Sequence, residues 1–217
     1  MSAYRTYVFD CDGVVLDSNR IKTDAFRVAA LAYGEEPAQA LVAHHVANGG
    51  ISRFAKFRHF LNELVPAGSR GPTYEELLDT YAQAVREGLH GCEIAPGLLE
   101  LREQTPNANW LIVSGGSQTE LREVFAARGI NTLFNGGIFG SPDTKDEILA
   151  REIAKGNILK PALFIGDSTY DYRAATDAGL DFVFATYWTE VHGWQQFVAE
   201  NSIPTVDSLK KIVEPVR

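Results

Sequence analysis

Tyr7-Val8-Phe9-Asp10-Cys11-Asp12-Gly13-Val14-Val15 is the stretch whose reading decides the fold of this chain. Tyr7 to Phe9 read as the end of a buried strand. Two carboxylates follow, one residue apart, and then a glycine. A strand interior excludes charge, so Asp10 marks the strand's carboxyl end, where open α/β sheets place their ligands. Asp10 and Asp12 can both point into one crevice, and Gly13 lets the backbone turn tightly beside them. A single Asp closes a turn or caps a helix. Two in this setting suit a hard cation or an acid–base pair.

Downstream, residues 18–88 carry helical signals and no strand signal. Ser18 is a candidate N-cap for a helix with Ile21, Ala25, Val28, Ala29 and Ala32 on one stripe. A short helix over 38–46 ends at Asn48-Gly49-Gly50. Ser52 opens a third helix to Leu64, with Phe54, Phe57, Leu61 and Leu64 as its expected buried face. Thr73 caps a fourth, with Glu76 at the capping-box position and Leu77, Leu78, Tyr81 and Val85 as its apolar side.

The pattern then changes. Pro96-Gly97 opens a short helix, and strands expected at 110–113, 162–165 and 181–185 alternate with helices at 118–128, 145–154 and 170–178. This alternation predicts an α/β fold, a doubly wound, Rossmann-like parallel sheet with helices on both faces. The first strand stands apart from the rest, so the helical block reads as an inserted all-helical cap. Residues 18–88 are assigned to the cap, and residues 1–17 with 89–217 to the core. Helical stretches at 194–200 and 208–213 are expected to cover a sheet face.

With 217 residues the chain has enough length for one full core and a small insert. A formal net charge of −8 argues against a nucleic-acid partner or an anionic membrane surface. No apolar run approaches the ~20 residues of a membrane span. The two cysteines, Cys11 and Cys92, make no disulfide framework. With no signal-like start, the cytoplasm is the expected location. A monomer or a homodimer is compatible with these features.

In a parallel sheet all strand carboxyl ends face one edge, so four segments are predicted to converge. They are Asp10 with Asp12, Ser114-Gly115-Gly116, Lys145, and Gly166-Asp167-Ser168-Thr169-Tyr170-Asp171. Their chemistry fits a phosphoryl group. Asp10 and Asp167 offer hard oxygen ligands for Mg²⁺. Ser114 offers a hydroxyl, and the backbone N–H groups after it, Gly115 onward, are expected to form an anion nest at a helix start. Lys145 offers a compact positive charge. One Asp can attack phosphorus while a second moves the proton.

These residues, in this order, resemble the motif set of the haloacid dehalogenase-like superfamily. Asp10-Cys11-Asp12-Gly13-Val14 looks like the first motif, Ser114 the second, Lys145 the third and Gly166-Asp167-x-x-x-Asp171 the fourth. The resemblance implies a nucleophile at Asp10 and a general acid/base at Asp12, whose backbone carbonyl also binds Mg²⁺. It implies phosphoryl contacts from Ser114 and Lys145, and a metal ligand at Asp167. Asp171 would be a ligand through water or a partner of Lys145. The helical insert is similar to the cap of the phosphoglycolate phosphatase and β-phosphoglucomutase branch, and Gly50-Ile51-Ser52-Arg53 matches that cap's Gly-x-Ser-Arg turn. Arg53 is therefore expected to grip the far end of the substrate, with Lys56 one helical turn on. Lys22 stands where mutase relatives carry a His, which weakens the mutase reading. Lys145-Asp146-Glu147 replaces their Lys-Pro-x-Pro-Asp run.

The expected function is Mg²⁺-dependent hydrolysis of a small phosphorylated metabolite, a sugar, polyol or hydroxy-acid phosphate, through an aspartyl-phosphate. The alternatives are a phosphosugar mutase and a non-catalytic phospho-acceptor or binding protein. His44 and His45 read as ordinary helix-face residues, His192 is unassigned, and Trp188 and Trp194 read as packing.

Overall fold

The computed structural model describes residues 4–213. β1 runs Thr6–Phe9, and every residue of it is buried. A strand covered on both faces needs apolar side chains throughout, so it shows no alternation. It lies inside a six-stranded parallel sheet ordered β3-β2-β1-β4-β5-β6. The other strands are β2 (Asn109–Ser117), β3 (Gly137–Ser141), β4 (Ala162–Gly166), β5 (Asp181–Ala185) and β6 (Thr205–Val206). Phe9 pairs with Ile112 of β2 and Ile165 of β4, which sets Asp10 between these two neighbours at the carboxyl end of β1.

Alternate residues of the central strands feed two separate apolar layers, as the pleat requires. Tyr7, Phe9, Trp110, Ile112, Leu163 and Ile165 face one layer. Val8, Leu111, Val113 and Phe164 face the other. Helices α5 (Leu98–Gln104) and α6 (Gln118–Ala127) cover the first, through Leu98, Leu101, Leu121, Val124 and Phe125. Helices α7 (Lys145–Ala154), α8 (Thr169–Asp177) and α9 (Trp194–Glu200) cover the second, through Ile148, Leu149, Ala174, Ala175 and Val198. The doubly wound α/β sheet expected from the alternating pattern is the observed fold.

Between β1 and β2 stand α1 (Asn19–Ala30), α2 (Glu35–Ala47), α3 (Arg53–His59), a π-helical turn Phe60–Leu64 and α4 (Tyr74–Gly91), with no strand among them. The chain enters and leaves this block side by side. The Asp17 N–H donates to the Glu93 carbonyl, and the Ala95 N–H to the Val15 carbonyl. The α4 capping box is as expected: the Glu76 N–H donates to Thr73 Oγ1, and the Thr73 N–H to Glu76 Oε2 at 2.7 Å. No helix among the described residues is long and apolar enough to cross a membrane.

Four local expectations need correction. The buried face of α1 is Ala25, Phe26, Ala29 and Ala30, whereas Val28 is 51% exposed. Phe26 sets that phase, because its ring packs on Phe57, Tyr81 and His45. In the third helix Lys56, Phe57 and Phe60 are buried, while Phe54, Leu61 and Leu64 are only partly so. The π turn inserts a residue and rotates the side chains beyond it. Ser18 precedes α1 but makes no side-chain cap; its hydroxyl turns to Asp12 instead. The tail covers both sheet faces, with α9 on one and Leu209 and Ile212 on the other, and it adds β6.

Candidate active site

Asp10 follows β1 directly, and its N–H donates to the Ile165 carbonyl, extending the ladder by one bond. Its carboxylate is held on both oxygens: Oδ1 accepts the Cys11 N–H at 2.7 Å, and Oδ2 lies 3.0 Å from Lys145 Nζ. Lys145 is the first residue of α7, set there by a capping box between Thr144 and Glu147. Its ammonium is fully buried and also pairs with Asp171 Oδ1. Asp171 Oδ2 accepts the N–H and the hydroxyl of Ser168 at 3.1 and 2.7 Å. Ser168 in turn caps α8, so the same bonds that start the helix fix the carboxylate.

Asp12 points to the other side. Its Oδ1 accepts the Ser18 hydroxyl at 2.6 Å, and its Oδ2 pairs with Lys22 Nζ at 2.5 Å. Asp167 Oδ2 accepts one N–H of Asn19 Nδ2 at 2.8 Å, and the same amide reaches the Trp188 carbonyl at 3.0 Å. The segment after β5 is tied over the site at two further points. The Thr189 hydroxyl donates to the Asp167 carbonyl, and the Thr23 hydroxyl to Glu190 Oε2.

Burial raises the Asp10 carboxyl to about 7, with Lys145 opposing and Asp171 and Asp12 adding to the rise. Burial, with Asp10 and Asp171 nearby, pushes Asp167 well above the usual carboxylate range. Burial also works to raise Asp12, but the Lys22 ammonium and the Ser18 hydroxyl hold it below its ordinary value. Burial would lower Lys145, yet Asp10 and Asp171 hold it raised. Side-chain oxygens of Asp10, Asp167 and Asp171 lie within 4.8 Å of one another. When ionised, the three buried carboxylates there exceed the single ammonium of Lys145 by two negative charges. A divalent cation with a preference for hard oxygen donors fits that donor set and that charge.

A pocket opens over these groups between the sheet edge and the helical block. Its lining includes Asp10, Asp12 and Asp167 from the sheet side and Lys22, Arg53 and Lys56 from the helical side. Lys145, Asp171 and Ser114 lie fully buried behind it. Every site residue expected from the sequence is therefore brought to this one place, with two corrections of setting. Ser114 does not stand at a helix start: β2 continues through a bulge to Ser117, and the Ser114 hydroxyl accepts the Gly116 N–H at 3.1 Å. Gly115 carries the cap instead, since a Cβ there would lie 2.2 Å from the Gly50 carbonyl. Arg53 pairs with Glu120 of α6 at 2.5 Å across the pocket.

Sequence reasoning missed Asn19, His45, Tyr81, Glu120 and Glu190, all in the pocket lining. His45 is not a plain helix-face residue: its Nδ1 lies 2.7 Å from Lys56 Nζ. Burial, then the ammonium of Lys56, drives its pKa down to about 2. Asn19 had one available signal, since it follows Ser18 at the helix start nearest the acidic motif.

A model of the haloacid dehalogenase-like hydrolase family matches residues 4–179, and the chain belongs to that family. No curated protein matches the sequence. Among solved structures, a predicted phosphoglycolate phosphatase from Haemophilus somnus superposes with a TM-score of 0.76 at 17% identity, over 100% of both chains. A predicted phosphatase from Clostridium acetobutylicum gives 0.75 at 16%, over 99% of both. A β-phosphoglucomutase from Clostridium difficile gives 0.69 at 19%, over 95% of this chain and 92% of its own. At these identities the likeness shows a shared fold.

Proposed function

We propose that this chain is a Mg²⁺-dependent phosphatase that hydrolyses a small phosphorylated metabolite through an aspartyl-phosphate on Asp10. The observation that carries the reading is the division of labour between two carboxylates on one turn. Asp10 is clamped by Lys145 among buried acids, and Asp12 stands two residues on, outside that cluster, on a separate cation.

Asp10, Asp167 and the Asp12 backbone carbonyl would hold the ion, with Asp171 steadying Lys145 or acting through water. When bound, Mg²⁺ supplies positive charge to the transferring phosphoryl oxygens. Lys145, Ser114 and the Gly115 N–H favour the same charge from the protein side. One Asp10 oxygen attacks phosphorus, the ester bond breaks, and Asp12 delivers a proton to the departing oxygen. Asp12 then takes a proton from water as that water attacks the acyl phosphate, releasing phosphate and restoring Asp10. The Lys22 pair favours ionised Asp12, which suits the second half-reaction. Closure of the helical cap over the pocket excludes bulk water during the first. We place the reaction in the cytoplasm, a setting that the two free cysteines support.

Phosphate release from a panel of small phosphomonoesters, with Mg²⁺ and with EDTA, tests this reading. Release that requires the metal is the expected result. Isomerised product without free phosphate would instead establish a mutase, and neither product would leave only binding.

A further inference from the structure

Asn19 is the first residue of α1, yet its side chain serves the sheet edge rather than its own helix. One N–H of the amide donates to Asp167 Oδ2 at 2.8 Å, and the other donates to the Trp188 carbonyl at 3.0 Å. Both donors are thereby used. A reversed amide would set its own oxygen against two acceptors, so only this orientation fits. The Gly13 backbone passes so close that it leaves no room for a side chain beside the amide or the carboxylate.

The partner of Asp167 is neutral, and that sets it apart from its neighbours. Asp10 and Asp171 share the Lys145 ammonium, whereas Asp167 has the Asn19 amide. A carboxylate held by an amide keeps its charge for a cation, and such a donor fixes which oxygen faces the ion. Oδ2 carries the side-chain hydrogen bond of Asp167 among the described residues, which leaves Oδ1 for an ion.

The second acceptor carries the same contact into the pocket wall. Trp188 lies in the segment after β5, whose Glu190 and Val191 line the pocket. In that segment the Thr189 hydroxyl donates to the Asp167 carbonyl at 2.8 Å, and the Tyr187 hydroxyl to the Val14 carbonyl at 2.7 Å. Asp167 thus holds the segment twice, directly through Thr189 and indirectly through Asn19. A cation that draws on this carboxylate bears on residues 187–190 as well.

We propose that Asn19 is a positioning residue for the metal: it turns Asp167 toward the ion and joins ion binding to the placement of residues 187–190. This rests on the Mg²⁺ site of the reading above, and not on hydrolysis.

The test is Mg²⁺ binding by calorimetry on wild type, Asn19→Leu, Asn19→Ala and Asp167→Asn. Tryptophan emission is followed in the same titrations, with Trp188→Phe as the blank. Leucine keeps the size and removes both donors, and alanine adds no bulk should leucine prevent folding. Both Asn19 variants should bind Mg²⁺ about tenfold to a hundredfold more weakly than wild type, and Asp167→Asn more weakly still. The Trp188 emission change should appear in wild type and be lost in the Asn19 variants even at saturating Mg²⁺. A merely structural asparagine would lower the unfolding temperature without moving either readout. Affinity within about threefold of wild type in both variants, while Asp167→Asn loses it, overturns the role of Asn19 and leaves the metal site intact. Weakened affinity with an unaltered emission change overturns the link to residues 187–190. A wild type that binds no Mg²⁺ overturns the metal reading and this inference together. Asn19-dependent binding without release of phosphate from any ester supports the inference and overturns the phosphatase.

Discussion

At the residue scale the site depends on how closely the backbone passes its own ligands. Gly13 has φ +75°, and a Cβ there would lie 2.1 Å from Asp167 Oδ2 and 2.3 Å from Asn19 Nδ2. Any side chain strains the turn and displaces both the carboxylate and the amide that orients it. Gly13→Ala should therefore weaken Mg²⁺ activation by about tenfold to a hundredfold, read as a shift in the metal titration of phosphate release with the far-ultraviolet circular dichroism unchanged. An unchanged titration would show that Asp167 and Asn19 play no part in holding the ion. The glycine was readable from the sequence as a tight turn, because Asp-x-Asp-Gly permits little else. Asn19 was not, because one amide carries no pattern until the fold brings Asp167 to it from 148 positions away.

At the scale of the element, α3 carries a stability cost inside a binding face. Burial, then repulsion from Lys22, lowers the Lys56 pKa from 10.5 to about 7. Asp12 and Asp10 oppose the fall, Lys145 adds to it, and neutral His45 contributes a hydrogen bond without charge. Below pH 7 the residue is protonated in both folded and unfolded chains, and the penalty is complete. Between pH 7 and 10.5 the unfolded chain binds more protons at this position, so rising pH relieves the penalty by at most about 1.4 kcal/mol per pH unit. Lys56→Met should therefore raise the unfolding temperature most near pH 6 to 7, and its advantage should shrink by pH 9. A difference between the two proteins that stays constant over that range would mean that Lys56 does not titrate as its burial requires. The same helix shows where a helical period misleads. Lys56 is buried and Phe54 is not fully so, because the pocket, and not apolar packing alone, decides which way α3 faces.

For the whole molecule, the order of strands and helices was legible because βα alternation admits few topologies, and a parallel sheet collects its strand ends on one edge. The bounds of α7, β5 and α9 agree with the residue pattern, and the Thr144–Glu147 capping box marks the start of α7. β6 was not legible: a two-residue strand has no period to read. Nor were the contacts that join cap to core. Arg53 to Glu120 and Gly50 to Gly115 link positions whose sequence neighbourhoods are unrelated, and only closure of the helical block over the sheet edge makes them partners. That closure places three cations, Lys22, Arg53 and Lys56, on the pocket wall facing the carboxylates and leaves Asp10 as the group clamped among the buried acids. The nucleophilic role of Asp10 is most directly tested by the kcat/KM of Asp10→Asn for metal-dependent phosphate release. The substitution preserves size and the Cys11 N–H acceptor, so the fold should persist while turnover falls by roughly 10⁴-fold or more. Turnover near the wild-type rate in the folded variant would contradict the assignment, because no covalent phosphoryl intermediate could then pass through residue 10.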